Sequence, residues 1–234
     1  MCGRKYDASG DTGLRPHAVP DDAYTGKQSG VTAAALVHII DDDSAVRQSL
    51  ADLLQSMGYQ VAQFGSASDF LRVNLPDAPA CLVLDVRLPG TSGLELQEYL
   101  ASINVGLPVI LMTGYADIPM TVKGMKLGAV DFLTKPIRDQ DLLEAVSAAI
   151  RIDQKRRRHF AEITQLREKY ALLTARERQV MALVASGLMN KQVASKLSIS
   201  EVTVKMHRGS VMRKLDAGSV AMLARMAEAL GIDK

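Results

Sequence analysis

Four places in the chain put a reactive side chain directly after a short apolar run. Asp41, Asp42 and Asp43 follow Leu36-Val37-His38-Ile39-Ile40; Asp85 closes Cys81-Leu82-Val83-Leu84; Thr113 closes Val109-Ile110-Leu111-Met112; and Lys135, before Pro136, follows Val130-Asp131-Phe132-Leu133-Thr134. Apolar runs of this length read as buried parallel strands, so acids, a hydroxyl and an amine all fall at strand ends. In an open α/β sheet the crevice beyond those ends is where ligands bind. Adjacent carboxylates there repel one another unless a cation is shared or solvent screens them. A hard divalent cation takes oxygen ligands, and Mg²⁺ characteristically uses one or two carboxylates with waters and phosphate oxygens. A carboxylate in such a place is a workable nucleophile toward activated phosphorus, with charge neutralisation supplying most of the catalysis. Taken singly, Asp85 reads as well as a cap on the following Pro89-Gly90 turn, Asp43 as a helix N-cap, and Lys135 as a solvated turn residue.

The elements that must position these residues alternate along the front half. Val46, Leu50, Leu53, Leu54 and Met57 recur at helical spacing until Gly58 stops the pattern, which predicts a helix packed on a sheet. Tyr59 to Phe64 reads as a second strand, Ser66 to Asn74 as a short helix, and Asp77 to Pro79 as the turn into the Asp85 strand. Ser92 to Ser102, Ile118 to Leu127 and Arg138 to Arg156 supply three further helices. Five strands alternating with helices predict a doubly wound parallel sheet.

From Leu172 the pattern changes to helical stripes without strands. Thr174 and Glu177 have the spacing of a capping box, opening a helix that runs to Gly187. Asn190 opens a second helix to Leu197, Leu197-Ser198-Ile199-Ser200 makes a turn, and Ser200 caps a third helix running to Leu215. Helix, tight turn and basic helix is the order of a helix-turn-helix. Between the two halves, Ile163, Leu166, Tyr170 and Leu173 recur at spacings of three and four. That stripe suits either a short dimer seam or a tether helix packed on the domain that follows, since so few heptads do not hold a coiled coil alone.

The 234 residues suffice for two modest domains, and the net charge of +2 conceals an asymmetry. Residues 34–150 carry 7 Lys and Arg against 14 Asp and Glu, residues 151–167 carry 6 against 2, and residues 168–234 carry 11 against 6. An acidic front and a basic rear point the second domain toward nucleic acid. Residues 1–33, rich in Gly, Asp, Ser, Thr and Pro, read as a disordered N-terminal extension, or as an over-extended reading frame whose initiator is Val31 or Val37. Cys2 and Cys81 have no metal or redox spacing, and Cys81 reads as a small core residue. No apolar stretch reaches the roughly 18–20 residues that span a bilayer, and the N-terminus lacks a hydrophobic signal core, which together predict a cytoplasmic protein without membrane contact.

The strand-end set resembles the receiver domain of two-component response regulators, and wording such as Val37-His38-Ile39-Ile40-Asp41-Asp42-Asp43 and Gly128-Ala129-Val130-Asp131-Phe132 is most similar to the FixJ-type subgroup. The rear half resembles the LuxR/NarL-type effector domain, through Leu173 to Val180, Asn190 to Ala194 and Val202 to Arg208. The resemblance implies a flavodoxin-like receiver at 34–150, a helical linker at 151–170 and a helix-turn-helix domain at 171–234. It implies Asp85 as phosphoacceptor and Mg²⁺ held by Asp41, Asp42, Asp85 and the backbone carbonyl of Arg87. Thr113 and Phe132 would be the switch residues, and Lys135, before a cis Pro136, the phosphoryl-binding lysine. A sensor histidine kinase, promoter DNA, RNA polymerase and a second copy of the chain are the implied partners in a bacterial cytoplasm. On the third helix Lys205, Met206 and Arg208 become candidates for base contact, with Lys191, Thr203, Arg213 and Lys214 for phosphates. Gly209 departs from family members that carry a base-contacting lysine there. The apolar face Val220, Leu223, Ala224, Ala227 and Leu230 serves as core or as dimer contact.

Two rivals use parts of the same set. A phosphohydrolase of the haloacid dehalogenase kind also needs a strand-end Asp nucleophile, but wants a second Asp two residues on, where this chain has Arg87. A pseudo-receiver would bind DNA without phosphate control, against which the complete set of Asp41, Asp42, Asp85, Thr113, Phe132 and Lys135 argues. The expected protein is therefore a regulator rather than an enzyme.

Overall fold

The computed structural model describes residues 35–115 and 118–232. The expectations for residues 1–33, including Val31 as initiator, fall outside that range; the alternative, Val37, lies within it. Compactness divides the chain into two units between Gln154 and Lys155.

The first unit alternates strand and helix: β1 Leu36–Ile40, α1 Ser44–Ser56, β2 Gln60–Phe64, α2 Ala67–Leu71, β3 Ala80–Asp85, α3 Gly93–Ser102, β4 Val109–Thr113, α4 Ile118–Lys126, β5 Asp131–Thr134 and the start of α5 Asp139–Ala171. All four pairings are parallel, in the order β2-β1-β3-β4-β5. This is the flavodoxin-like doubly wound fold. Strand side chains alternate between faces, so each strand feeds two cores. Leu36, Ile40, Leu82, Leu84 and Leu111 join Leu96 and Leu100 of α3 on one face, while Val37, Ile39, Val83, Ile110 and Met112 join Leu54 of α1 with Leu142 and Val146 of α5 on the other. Cys81 is a free, buried thiol in the second of these cores, and burial pushes its pKa up to about 12.

Strand order reverses between β1 and β3, where the chain leaves for β2 on one side and returns to β3 on the other. Loops leaving adjacent strands in opposite directions open a crevice at their carboxyl ends. The register sets Ile40 beside Leu84, Asp85 beside Met112 and Thr113 beside Thr134, which brings Asp41, Asp85, Thr113 and Lys135 to one edge of the sheet.

Two sequence expectations change at helix α5. The helix expected from Arg138 to Arg156 and the helical linker expected at 151–170 are one helix, Asp139–Ala171, because no Gly or Pro interrupts the run. Its residue Asp153 is buried and accepts a hydrogen bond from the backbone of Ala80 at 2.9 Å, fastening α5 to the start of β3. The short helix expected to reach Asn74 ends earlier, at Leu71.

The second unit contains the remainder of α5 and then α6 Ala175–Ala185, α7 Asn190–Leu197, α8 Glu201–Leu215 and α9 Val220–Leu230. Its core is built from Val180, Met181 and Val184 of α6, Val193 of α7, Val204, Val211 and Leu215 of α8, and Leu223 and Ala227 of α9. Leu173 is buried in that core, with Leu166 and Tyr170 packed against it. Three residues of the linker stripe, Leu166, Tyr170 and Leu173, therefore pack on their own unit, as a tether requires. Of the α9 face, Leu223 and Ala227 are core, and Val220 and Leu230 line its edge.

Candidate functional site: an acidic crevice with a bridging lysine, and a helix-turn-helix face

At the carboxyl ends of β1 and β3, Asp41 and Asp85 are buried and Asp42 is exposed. One carboxylate oxygen from each of the three lies within 4.8 Å of the others. Lys135 Nζ donates to Asp41 Oδ2 and Asp85 Oδ2, both at 2.5 Å, and so bridges β1 and β3 from the end of β5. Desolvation raises the pKa of Asp41 more than the Lys135 hydrogen bond lowers it. Burial also disfavours the charged form of Lys135, but its bonds to the two carboxylates prevail and its pKa lies above the ordinary value.

Backbone amides hold the carboxylates' other oxygens. Asp43 N donates to Asp41 Oδ1 at 2.9 Å, and Arg87 N donates to Asp85 Oδ1 at 2.9 Å. Asp43 itself caps α1, accepting from the amides of Ala45 and Val46, which separates its role from that of its two acidic neighbours. Thr113 is buried; its hydroxyl donates to Tyr115 O at 3.2 Å and accepts from Tyr115 N at 3.3 Å. Lys135 N donates to Thr113 O at 2.8 Å, and the Lys135–Pro136 peptide is cis. Phe132 is half-buried against the α3-side core. The Arg87 guanidinium lies 5.4 Å from the centre of the exposed Tyr115 ring, at the rim.

Hard oxygen donors on two adjacent strands, one solvent-facing, fit a magnesium ion that keeps several of its waters. Asp41, Asp42 and Asp85 are the side chains that would hold it.

Two contributors to the crevice left no sequence signal. Arg47 Nη1 donates to the backbone carbonyl of Asp41, pinning the acidic turn from α1. A lone arginine on a helix usually reads as a solvated residue. Gly93 is a second: a Cβ there would lie 2.2 Å from the Asp85 carbonyl oxygen, so only glycine lets α3 start this close to β3.

In the second unit, α7 and α8 form the helix-turn-helix. Ser198 turns the chain at φ 53°, and Ser200 caps α8 by accepting from Thr203 N. Lys205 and Lys191 are exposed, as is Met206 at 64 %. Val202, one turn before Met206, is exposed at 69 % and completes an apolar pair that sequence reasoning missed. Arg208 is half-buried and donates to Asn190 Oδ1 at 3.2 Å; the Thr203 hydroxyl is 2.8 Å from that of Ser200; Arg213 is exposed. Lys214 is held inside the unit, donating to Glu177 Oε2 at 2.7 Å and to the Leu172 carbonyl at 3.1 Å. Glu177 also completes the Thr174 capping box, and the Lys214 bond leads the causes that lower its pKa. A Cβ on Gly209 would meet nothing within 4 Å, so the glycine leaves a side-chain gap on α8.

An acidic crevice with a bridging lysine and a separate helix-turn-helix define a signal-receiving regulator. Residues 37–147 match the response regulator receiver domain and residues 171–227 the luxR family of bacterial regulatory proteins. The chain belongs to the two-component response regulators that join a receiver to a LuxR-type DNA-binding domain, with FixJ among its homologues. It is 51 % identical to nodulation protein W of Bradyrhizobium diazoefficiens over 207 residues, 88 % of this chain and 91 % of that one. Identity to the transcriptional regulatory protein FixJ of Azorhizobium caulinodans is 44 % over 196 residues, covering 84 % and 93 % of the two chains. The solved structure of the response regulator StyR matches with a TM-score of 0.73 at 46 % identity, over 84 % of this chain and 99 % of that one. The family is one of transcriptional regulators: a receiver implies a kinase partner, its acidic pocket Mg²⁺, and the luxR-type domain DNA. No helix among the described residues is long and apolar enough to cross a membrane.

Proposed function

We propose that Asp85 accepts a phosphoryl group from a sensor histidine kinase, and that the phosphorylated chain dimerises and binds promoter DNA in the bacterial cytoplasm. The observation that carries this is the bridge from Lys135 to Asp41 and Asp85, each at 2.5 Å, beside three carboxylates within 4.8 Å. An Asp85 oxygen attacks phosphorus as the donor's P–N bond breaks, and the leaving imidazole recovers its proton. Asp41, Asp42, Asp85 and the carbonyl of Arg87 would hold Mg²⁺, which would supply the positive charge that lets an anionic nucleophile meet an anionic donor. Lys135 exchanges one of its carboxylate partners for a phosphoryl oxygen.

The Thr113 hydroxyl, now bonded within its own loop, turns to the new phosphoryl group, and Phe132 moves from half-buried to buried. These are two packings of one domain, biased by the differential affinity of phosphate for each. Residues 34–150 act as receiver, 151–170 as linker and 171–234 as the DNA-binding domain. In the latter Lys205, Met206 and Arg208 address base edges. Lys191, Thr203, Arg213 and Lys214 address phosphates, Lys214 after release from Glu177. The bound dimer then acts on RNA polymerase.

The test is Mg²⁺-dependent phosphoryl incorporation from acetyl phosphate, read by intact mass, followed by binding to the chain's own promoter region. Wild type gains one phosphoryl group only with Mg²⁺, Asp85→Asn gains none, and phosphorylation tightens DNA binding. Equal DNA binding and promoter output from wild type and Asp85→Asn would instead establish a pseudo-receiver.

A further inference from the structure

Two large apolar side chains of α8, Val202 and Met206, stand largely exposed to solvent. Four residues apart on one helix, they lie side by side on the same face. Gly209 continues this ridge with no side chain, and a Cβ there would meet nothing within 4 Å. From Val202 to Gly209 the ridge therefore carries no hydrogen-bonding group. The fold does not need the pair, because the opposite face of α8 supplies Val204, Val211 and Leu215 to the core.

Cations border the ridge. Lys205 is exposed next to Met206, Arg213 is exposed one turn beyond Gly209, and Arg208 is half-buried and bonded to Asn190 at the start of α7. An apolar strip between cations suits an anionic partner that also offers an apolar group. The major groove of a DNA duplex has phosphates along both walls, and its floor carries one apolar group, the C5 methyl of thymine. Ser200 caps α8, so Val202 and Met206 fall in its first two turns, the part of a second helix that meets base edges. Thymine also sets an acceptor, O4, beside that methyl, and lysine is a donor only. Guanine offers acceptors without a methyl, and cytosine offers a donor.

We propose that Val202 and Met206 read the thymine C5 methyl, with Lys205 on the adjacent O4, so that the DNA site carries thymine at a fixed position under α8. The inference rests on α8 being the DNA-reading helix and adds Val202 to the residues that set its specificity.

Full-length protein treated with acetyl phosphate and Mg²⁺ enriches sites from a randomised duplex pool. The enriched site is then resynthesised with deoxyuridine for thymidine one position at a time, which deletes the methyl and keeps O4 and the base pairing. Affinities are read by fluorescence anisotropy. At one position, or two neighbouring ones, uracil weakens wild-type binding about 4-fold for each methyl lost, the factor that burial of one such group supplies. Val202→Ala and Met206→Ala each reduce that preference and together abolish it; both positions are exposed and alanine favours a helix, so the fold is kept. Lys205→Ala weakens binding to both sites and keeps the ratio between them. Indifference to uracil at every position, or a preference that survives the double substitution, overturns the inference while DNA binding stands, and leaves the pair to a protein partner. A preference lost with Lys205→Ala but not with the pair overturns it likewise. Failure to enrich any site overturns the DNA-binding reading itself, and this inference with it.

Discussion

His38 is an unusual residue to find at the centre of β1. It is fully buried, its ring centroid lies 5.9 Å from that of Phe64 and 5.5 Å from that of Phe70, and neither ring nitrogen has a hydrogen-bond partner. Burial pushes its pKa down from 6.5 to about 4. As pH falls through 6.5 the unfolded chain takes up a proton at this position and the folded receiver does not. Stability is therefore unaffected above 6.5, falls progressively below it, and stops falling once the folded form also protonates near 4. A gap of about 2.5 pH units, at ~1.4 kcal/mol per unit, amounts to about 3 kcal/mol. His38→Phe keeps an aromatic ring against Phe64 and Phe70 and removes both unpaired nitrogens, so at neutral pH the variant equals or exceeds wild type in stability. Amide hydrogen exchange of β1 and β3 reads the receiver separately from the helical unit. Between about pH 7 and about pH 4.5 the wild type should lose about 2–3 kcal/mol more than the variant. Parallel pH profiles for the two proteins would refute the reasoning, and His38→Leu repeats the test without an aromatic replacement.

Other expectations follow from the crevice and the DNA-binding face. Gly93→Ala places a Cβ 2.2 Å from the Asp85 carbonyl oxygen, so α3 must back away from β3; denaturation should show a loss of about 1–3 kcal/mol and phosphorylation should slow. Wild-type behaviour on both counts would contradict that contact. Tyr115→Ala removes the ring stacked with Arg87 at the rim and should shorten the phosphoryl half-life by admitting water, a conclusion that an unchanged decay rate rejects. On DNA, Lys191→Ala should lower the salt slope of binding by about one and leave site preference intact, whereas Lys205→Ala should relax the preference at one base position. Equal effects of the two on specificity would count against the division between phosphate and base contacts.

Much of this protein is local in origin, and that part is legible in the sequence. Asp43, Thr174 with Glu177, and Ser200 are helix caps because a short polar side chain can reach an amide two or three residues on, a geometry fixed within one turn. The strands that lead to Asp41, Asp85 and Thr113 are equally readable, since short runs dominated by Val, Ile and Leu suit elements covered on both faces. Site positions came from strand ends and from family resemblance; spacing alone left Asp85 and Lys135 ambiguous.

What tertiary structure decided are the pairings between distant segments. Lys135 meets Asp41 across 94 residues only because β5 and β1 end at one edge of the sheet in the order β2-β1-β3-β4-β5. Glu177 is a cap by its spacing, but its bond to Lys214, 37 residues away, depends on α6 and α8 packing together. The stripe through Leu166, Tyr170 and Leu173 was compatible with a seam or a tether, because periodicity specifies that a face is apolar and not which surface covers it. Gln97, a polar residue on an otherwise ordinary helix, acquires its unpaired oxygen only when α4 closes over α3. Local chemistry sets the elements; burial and neighbours, which no window of sequence contains, set what their side chains do.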